Sequence, residues 1–175
     1  SAPPLPPAQA IALAEDQRRW SDGELRRFLS DPTPAIRARA LLAIGRLQDT
    51  LAVESVAPLL KDADAEVRRE AAFALGQIGH RSSRPALEAA LADADHDVRW
   101  LAIEALGKLG SKASTARVAA FLRDPLPQLR SEAAVALWRL ADSTALDALI
   151  ARHRDPDPGV RWRVLYALEK IVAPD

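Results

Sequence analysis

Acidic and basic side chains recur along this chain at a fixed interval, and their chemistry needs an explanation first. An aspartate opens each of five similar segments, and successive aspartates are 31 residues apart without an insertion. These aspartates are Asp31, Asp62, Asp93, Asp124 and Asp155. An arginine follows each of them by six residues, at Arg37, Arg68, Arg99, Arg130 and Arg161. Carboxylates and guanidinium groups at such spacing can form charge-assisted hydrogen bonds, so the two columns invite either a functional or a structural interpretation.

A search for catalytic residues finds no candidate. The histidines His80, His96 and His153 are 16 and 57 residues apart and form no H-E-x-x-H motif, so we expect them in loops or at helix ends. The motifs G-x-S-x-G and G-x-x-x-x-G-K-[ST] are missing. The chain has no cysteine, which excludes disulfides, thiolate metal sites and a cysteine nucleophile. The sequence therefore predicts no catalytic residue, no metal site, no cofactor and no enzymatic activity.

The overall charge is neutral, with 24 Lys and Arg against 24 Asp and Glu. Nonspecific binding to a phosphate backbone requires a basic excess, so we expect no nucleic-acid partner. Membrane insertion is not expected either, because the chain lacks an apolar run of about 18 residues. The first residues, 1–7, are rich in proline and predict a tail.

Helical pairs must position the two charged columns. Between the aspartates, apolar residues recur at three- and four-residue spacing, as on one face of a helix. Each aspartate stands where a helix N-cap or a turn-opening side chain is expected, and in three copies prolines follow it directly. Gly79 and Gly110 mark the C-terminal end of a second helix. On that helix the residues five, nine, twelve, thirteen and sixteen after the aspartate share one arc, which predicts the buried face.

The pattern Asp-x-x-x-x-Val-Arg followed by Ala-x-x-Ala-Leu-Gly resembles the HEAT repeat, in the short form of bacterial phycobilisome-lyase-like proteins. The resemblance implies an all-α fold, a right-handed α-solenoid of five 31-residue helix-turn-helix repeats with an extra N-terminal capping helix. We expect a single domain over 8–175, with a cap helix over 8–19 and repeats at about 21–48, 51–79, 82–110, 113–141 and 143–173. The resemblance also implies that the aspartate and arginine columns form a structural ladder, in which each arginine bonds an aspartate of its own or an adjacent repeat.

Both ends depart from the repeat, as the ends of repeat arrays do. The charged cap helix is expected to cover the first repeat, and Ser21 with Glu24 predicts a capping box at the start of the next helix. In the last repeat, His153 replaces the leucine that precedes the aspartate by two residues in the other copies. This less apolar repeat is either a natural cap or a junction with a further segment.

Aromatic residues collect on the side of the second helices opposite the buried arc, seven, eleven and fourteen residues after each aspartate. We call these positions the second-helix stripe, and the HEAT architecture places them on a concave surface. Three of the four tryptophans and the only tyrosine lie there. Exposed aromatic patches mark contact surfaces, and Trp, Tyr and Arg dominate binding hot spots. We therefore predict partner binding by Arg69, Phe73, Trp100, Glu104, Trp138, Trp162 and Tyr166, unless these rings pack between adjacent repeats.

The sequence thus predicts a scaffolding or interaction module for a protein or peptide of mixed polarity. Two alternatives stay open: a bilin-lyase-like protein that handles a chromophore, and, more remotely, a HEAT-like DNA glycosylase. A second resemblance, of AQAIALAEDQRRWSDGELRRFLSDP to HEAT segments ahead of cyclophilin-type domains in bacterial proteins, implies a segment of a larger assembly. The compartment, bacterial cytoplasm or periplasm, is not determined.

Overall fold

Long and short helices alternate along residues 4–18, 20 and 23–173, which the computed structural model describes. The α-helices are α1 Pro7–Asp16, α2 Pro34–Leu47, α3 Val53–Val56, α4 Ala65–Ile78, α5 Arg84–Ala90, α6 His96–Leu109, α7 Thr115–Ala120, α8 Pro127–Leu140, α9 Leu146–Ile150 and α10 Pro158–Val172. No strand occurs among these described residues. The predicted all-α fold of helical repeats with an N-terminal capping helix is confirmed.

The second helix of each repeat begins three residues after the column aspartate. All five column aspartates accept the N–H of the residue two positions on, at 2.8 to 3.0 Å, so each one opens a turn and does not cap the helix. In three repeats the N-cap is a second aspartate, two residues after the column aspartate: Asp64, Asp95 and Asp157 accept N–H groups of the first helical turn. Proline, which lacks an amide donor, occupies the first position of α2, α8 and α10.

Four of the second helices end on a residue in the left-handed conformation. Gly79 and Gly110 hold this position after α4 and α6, with φ of +66° and +65°. After α2 and α8 the same position is taken by Gln48 and Ala141, with φ of +57° and +49°. Glycine adopts this conformation without a steric cost, whereas a side chain adds strain there.

The first helices are shorter than the repeat pattern predicts, and they mix α and 3₁₀ turns. The 3₁₀ segments are Arg26–Ser30, Thr50–Ala52, Ala57–Lys61, Arg81–Ser83, Lys112–Ser114, Phe121–Arg123 and Ser143–Ala145. In the second repeat the change from α3 to a 3₁₀ turn coincides with Pro58, which has no amide proton for an α-helical bond. The predicted capping box cannot be assessed, because Ser21 lies outside the described residues.

The chain divides into two compact units, residues 1–86 and 87–175. In the first unit α2 packs along α4, and α1 covers α2. There Glu15 of α1 accepts hydrogen bonds from Arg39 at 2.6 Å and from Arg46 at 2.9 Å, both on α2. The second unit repeats the arrangement, with α6 packed on α8 and α8 on α10.

Each unit has its own apolar core, formed by its second helices and the shorter helical segments packed against them. The largest fully buried side chains are Ile11, Leu25, Leu41, Ile44 and Leu75 in the first unit, and Leu87, Ile103, Leu106, Leu122, Leu129, Leu137 and Leu140 in the second. Burial of each such side chain contributes about 1.5–3 kcal/mol to stability.

Glycine lets consecutive second helices approach closely in each unit. A Cβ atom on Gly107 of α6 would lie 2.8 Å from the Cα of Ala136 on α8, and one on Gly45 of α2 would lie 3.0 Å from the Cα of Ala74 on α4. In these repeats, position fourteen after the aspartate belongs to a helix–helix contact. Its assignment to an open surface in every repeat is therefore wrong, because a Cβ at Gly45 or Gly107 would crowd the backbone of the next second helix.

Candidate protein-binding surface

The charged columns form bonds within and between repeats. Arg37 donates from Nε and Nη2 to the two carboxylate oxygens of Asp62, at 2.9 and 2.8 Å, and from Nη1 to the backbone carbonyl of Asp31 at 2.8 Å. Arg130 makes the same bonds in the second unit, to both carboxylate oxygens of Asp155 at 2.8 Å and to the carbonyl of Asp124 at 2.9 Å. Arg37 and Arg130 thus each connect their own turn to the turn of the following repeat.

The Arg130–Asp155 pair is buried, with side-chain exposures of 9% and 0%. The hydrogen bond from Arg130 is the main cause that holds the pKa of Asp155 below its ordinary value, and it outweighs burial, which acts in the opposite direction. The hydrogen bond from Arg37 lowers the pKa of Asp62 in the same way. A carboxylate so fully engaged is not available to a ligand, and the pair serves the packing of the repeats.

The third repeat departs from this pattern. Nη1 of Arg99 donates to the carbonyls of Asp93 and Ala94, at 2.8 and 3.1 Å, and the carboxylate of Asp124 accepts the N–H of Leu126 at 2.8 Å. Within residues 23–173, no hydrogen bond or ion pair joins Arg99 to Asp124. Arg68 and Arg161 likewise donate to the two carbonyls that open their own turns.

Three rings of the second-helix stripe form what we call the aromatic cluster: Trp138 of α8 with Trp162 and Tyr166 of α10. Trp138 meets Tyr166 edge-on, with ring centroids 5.3 Å apart, and Trp162 stacks on Tyr166 at 5.5 Å. Trp162 nevertheless remains 64% exposed. Such mutual contact holds the rings in place, while one large apolar face stays open to solvent.

Trp100 of α6 belongs to a different part of the same unit, where it lines two neighbouring pockets. The first pocket, of about 420 Å³, is lined by His96, Asp97, Trp100, Leu126, Gln128 and Leu129. The second pocket, of about 350 Å³, is lined by Trp100, Pro127, Gln128, Ser131, Glu132, Asp157, Gly159 and Arg163. Because both pockets share Trp100 and Gln128, they form one groove across the N-terminal turns of α6, α8 and α10.

Two glutamates lie near this groove, and the sequence predicted only one of them. The predicted residue, Glu104, is bonded to Lys108 on its own helix at 3.0 Å. Glu132, one position beyond the stripe, has a side chain only 12% exposed, and its buried Oε1 atom has no hydrogen-bond partner. Arg139 Nη1 lies 3.8 Å from that oxygen, close enough for attraction but beyond hydrogen-bonding distance. Burial, assisted by the negative charge of Glu104, raises the pKa of Glu132.

A repeated signal in the sequence could have drawn attention to Glu132. Glu70 occupies the same position of the second repeat, eight residues after the aspartate, and its Oε2 atom is also buried without a hydrogen-bond partner. Burial raises the pKa of Glu70 as well, together with the charge of Glu66. The repeated glutamate, eight residues after the aspartate and directly after the first stripe position, is the signal that indicates Glu132.

The predicted binding residues of the first unit are less open. Phe73 is half-buried, and its ring edge lies 3.5 Å from where a Cβ of Gly45 would stand. Arg69 bonds Glu66 at 3.1 Å on the surface of its own helix. Phe73 therefore takes part in packing between repeats, which was the alternative interpretation of the stripe.

The described part of the chain shows neither a cluster of metal ligands nor a membrane-spanning helix. Residues 4–18, 20 and 23–173 contain no group of three or more His, Asp or Glu side chains that could hold a metal ion. None of the helices in those ranges is both long and apolar enough to cross a bilayer. His80 and His96 lie at the start of helical segments, and His153 lies in the turn after α9. The Nδ1 atom of His80 is 2.7 Å from the hydroxyl of Ser82, and that of His153 is 2.7 Å from the carbonyl of Ile150.

Similar solved structures share the fold at low sequence identity. A designed armadillo repeat protein in complex with the peptide (KR)4 is 18% identical with a TM-score of 0.72, over 94% of this chain and 90% of that one. An engineered protein is 23% identical with a TM-score of 0.70, over 95% and 85%. The complex of CpcE and CpcF of phycocyanin lyase from Nostoc sp. is 22% identical with a TM-score of 0.67, over 99% and 79%. Identities this low show the fold alone.

The family assignment comes from the sequence itself. No curated protein matches the chain. The family model of HEAT repeats matches residues 53–126 and 115–175, which together span most of the chain and contain the turns, the arginine column and the stripe of the last four repeats. The resemblance noted in the aspartate and arginine pattern is thereby confirmed, and the chain belongs to the HEAT-repeat family.

Proposed function

We propose that this chain is a non-catalytic binding or scaffolding module that takes a protein or peptide on the second-helix stripe of residues 87–175. The observation that carries the proposal is the aromatic cluster, in which Trp162 is 64% exposed while it stacks on Tyr166. A solvated helix face gains nothing from an exposed indole. An exposed indole is useful on a contact surface, because a ring already held by its neighbours loses little conformational entropy when a partner covers it.

The fold supports this proposal by analogy. Repeat folds typically serve as interaction scaffolds, and two of the similar structures are complexes, one with a peptide and one between two proteins. The balance of acidic and basic residues suits a partner of mixed polarity better than a polyanion. Analogy at the level of the fold does not identify the partner, so the site itself has to be tested.

Chromophore handling is the second candidate function, because the similar CpcE and CpcF proteins belong to a phycocyanin lyase. In this chain the aromatic cluster and the groove beside Trp100 are the surfaces that a planar chromophore would contact. A mixture of the purified chain with a linear tetrapyrrole would then show altered visible absorbance. An unchanged spectrum would rule this candidate out.

Substitution Trp162→Ala tests the proposed surface. Peptides are first selected from a random library on the wild-type chain, and their Kd values are then measured for the variant. We expect binding to weaken about tenfold or more, since loss of a hot-spot aromatic costs at least ~1.4 kcal/mol. The thermal midpoint should hardly change, because the ring is mostly exposed.

Leu51→Ala is the matched control, since Leu51 is 74% exposed in the first unit and lies outside the stripe. Its Kd values should equal those of the wild-type chain. Peptides that bind both variants as tightly as the wild type would show that the aromatic cluster is not the contact surface.

A further inference from the structure

The second pocket has the form of a site for one side chain. It lies between the N-terminal turns of α8 and α10, with Trp100 of α6 on one wall. Its volume of about 350 Å³ is at the small end of the range for ligand sites, ~300–1,000 Å³. The pocket also opens on the groove that contains Gln128, whose amide can both donate and accept hydrogen bonds to a peptide backbone.

Glu132 gives this pocket a largely buried carboxylate, and one of its oxygens, Oε1, has no hydrogen-bond partner. A buried carboxylate oxygen without a partner costs more than a typical hydrogen bond contributes, on the order of 1–3 kcal/mol. The nearest cation on its own helix, Arg139, is too far away to donate to Oε1. Oε1 itself is closed to solvent, but a cation in the pocket that Glu132 lines would offset the cost of the buried carboxylate charge.

Trp100, which forms another wall of the pocket, also favours a cation. The indole of tryptophan is the ring that attracts cations most strongly, and its apolar surface also accepts the methylene stem of a long basic side chain. Trp100 and Glu132 line the same pocket, so a single Lys or Arg side chain can contact both. We propose that this pocket binds a lysine or arginine side chain of an extended peptide segment, a proposal that rests on the peptide-binding function inferred above.

The charged side chains near Glu132 belong to three helices, and some of them already have bonding partners. On α6, Glu104 is bonded to Lys108 at 3.0 Å. On α10, Arg163 donates to the carbonyl of Gly159 at 3.2 Å and lines the pocket together with the N-cap carboxylate of Asp157. The pocket lining thus carries two carboxylates, Glu132 and Asp157, against one cation, Arg163, and this balance favours a basic side chain over an acidic one.

Proton release should accompany this binding. Burial and Glu104 raise the pKa of Glu132 in the free chain, and a cation in the pocket favours the ionised carboxylate. The basic peptide should therefore bind more tightly as the pH rises through the raised pKa of the free chain. Once the carboxyl group is ionised without the peptide, this dependence should disappear.

The test compares three octapeptides on the full chain at about 150 mM salt, where surface charge effects are screened within ~8 Å. The first alternates lysine and arginine, the second carries norleucine and citrulline at the same places, and the third alternates glutamate and aspartate. We expect the wild-type chain to bind the first at least about tenfold more tightly than the other two, and Glu132→Gln to abolish this preference. The shape of the side chain is kept in this variant, so its thermal midpoint should not fall.

Glu54→Gln is the matched control, because it removes the same charge from an exposed site on α3. It should bind the basic peptide within about twofold of the wild-type chain. Equal effects of the two substitutions, equal binding of the neutral peptide, tighter binding of the acidic peptide, or no binding of the basic peptide would each overturn the pocket proposal. The proposed function is tested separately, by whether library-selected peptides depend on Trp162 for binding.

Discussion

The Arg130–Asp155 pair shows how one repeated residue acquires different roles along the chain. Five arginines occupy the same repeat position, and all five donate to the carbonyls that open their own turn. Arg130 additionally holds a fully buried carboxylate of the next repeat, which Arg99 does not do. The second bond therefore depends on how neighbouring repeats lie and not on the residue type alone.

Comparison of Arg130→Ala with Arg99→Ala isolates that second bond. Both variants lose the bonds to their own turn, but only the first removes the paired hydrogen bonds of a buried carboxylate, whose other cation, Arg152, lies 3.9 Å away. Breaking a buried ion pair costs about 3–5 kcal/mol. We expect Arg130→Ala to be less stable than Arg99→Ala by about 2 kcal/mol or more in urea unfolding followed by circular dichroism. Equal losses would mean that the Asp155 bond adds nothing to the stability of the fold.

At this scale the sequence predicts the columns but not their partners. The 31-residue spacing predicts that arginines pair with aspartates. Nothing in the sequence indicates that Arg130 bonds the aspartate of the next repeat and that Arg99 does not. Glu132 escaped prediction because burial of one oxygen depends on the side chains that surround it. Gly45 and Gly107 were assigned to an open surface because the helical wheel carries no information on how close the next helix lies.

Among the elements, the second helices follow from the sequence and the first helices do not. A turn-opening aspartate, proline at the first position and glycine after the last turn act locally, so 14- or 15-residue helices could be placed from sequence alone. The first helices carry weaker signals, and segments such as Ala57–Lys61 become 3₁₀ turns. Their form depends on packing against the second helices, which a local pattern does not encode.

The C-terminal ends of the second helices offer a direct test of this local control. Ala141 has φ of +49° where Gly110 has +65° in the repeat before. Left-handed backbone costs a non-glycine residue ~1–2 kcal/mol, and glycine's extra freedom in the unfolded chain offsets part of the gain. We expect Ala141→Gly to raise the free energy of unfolding by about 0.5–1 kcal/mol.

Gly110→Ala should lower the free energy of unfolding by about 1 kcal/mol, because a Cβ there has open space around it and only the backbone strain changes. Denaturant midpoints of both variants provide the measurement. Two shifts of the same sign would contradict the assignment of these positions as equivalent helix ends.

For the molecule as a whole, the sequence predicts a HEAT-repeat protein with aromatic residues on one side of its second helices. The structure adds how those residues are grouped in residues 87–175: a cluster of Trp138, Trp162 and Tyr166, and a groove beside Trp100. Because the overall charge is neutral, the proposed binding function would depend on local features, such as Glu132 and the exposed indole, to select a partner. Recognition by such features is what a scaffold needs for selectivity.

The four indole N–H signals of the chain provide the most direct measurement of where a partner binds. Trp100, Trp138 and Trp162 belong to the proposed surface, whereas Trp20 lies in the first unit and is 7% exposed. In two-dimensional NMR spectra recorded during titration with a library-selected peptide, we predict that the signals of those three tryptophans shift and that of Trp20 stays in place. A saturable shift of Trp20 alone, with the other three unchanged, would contradict the account.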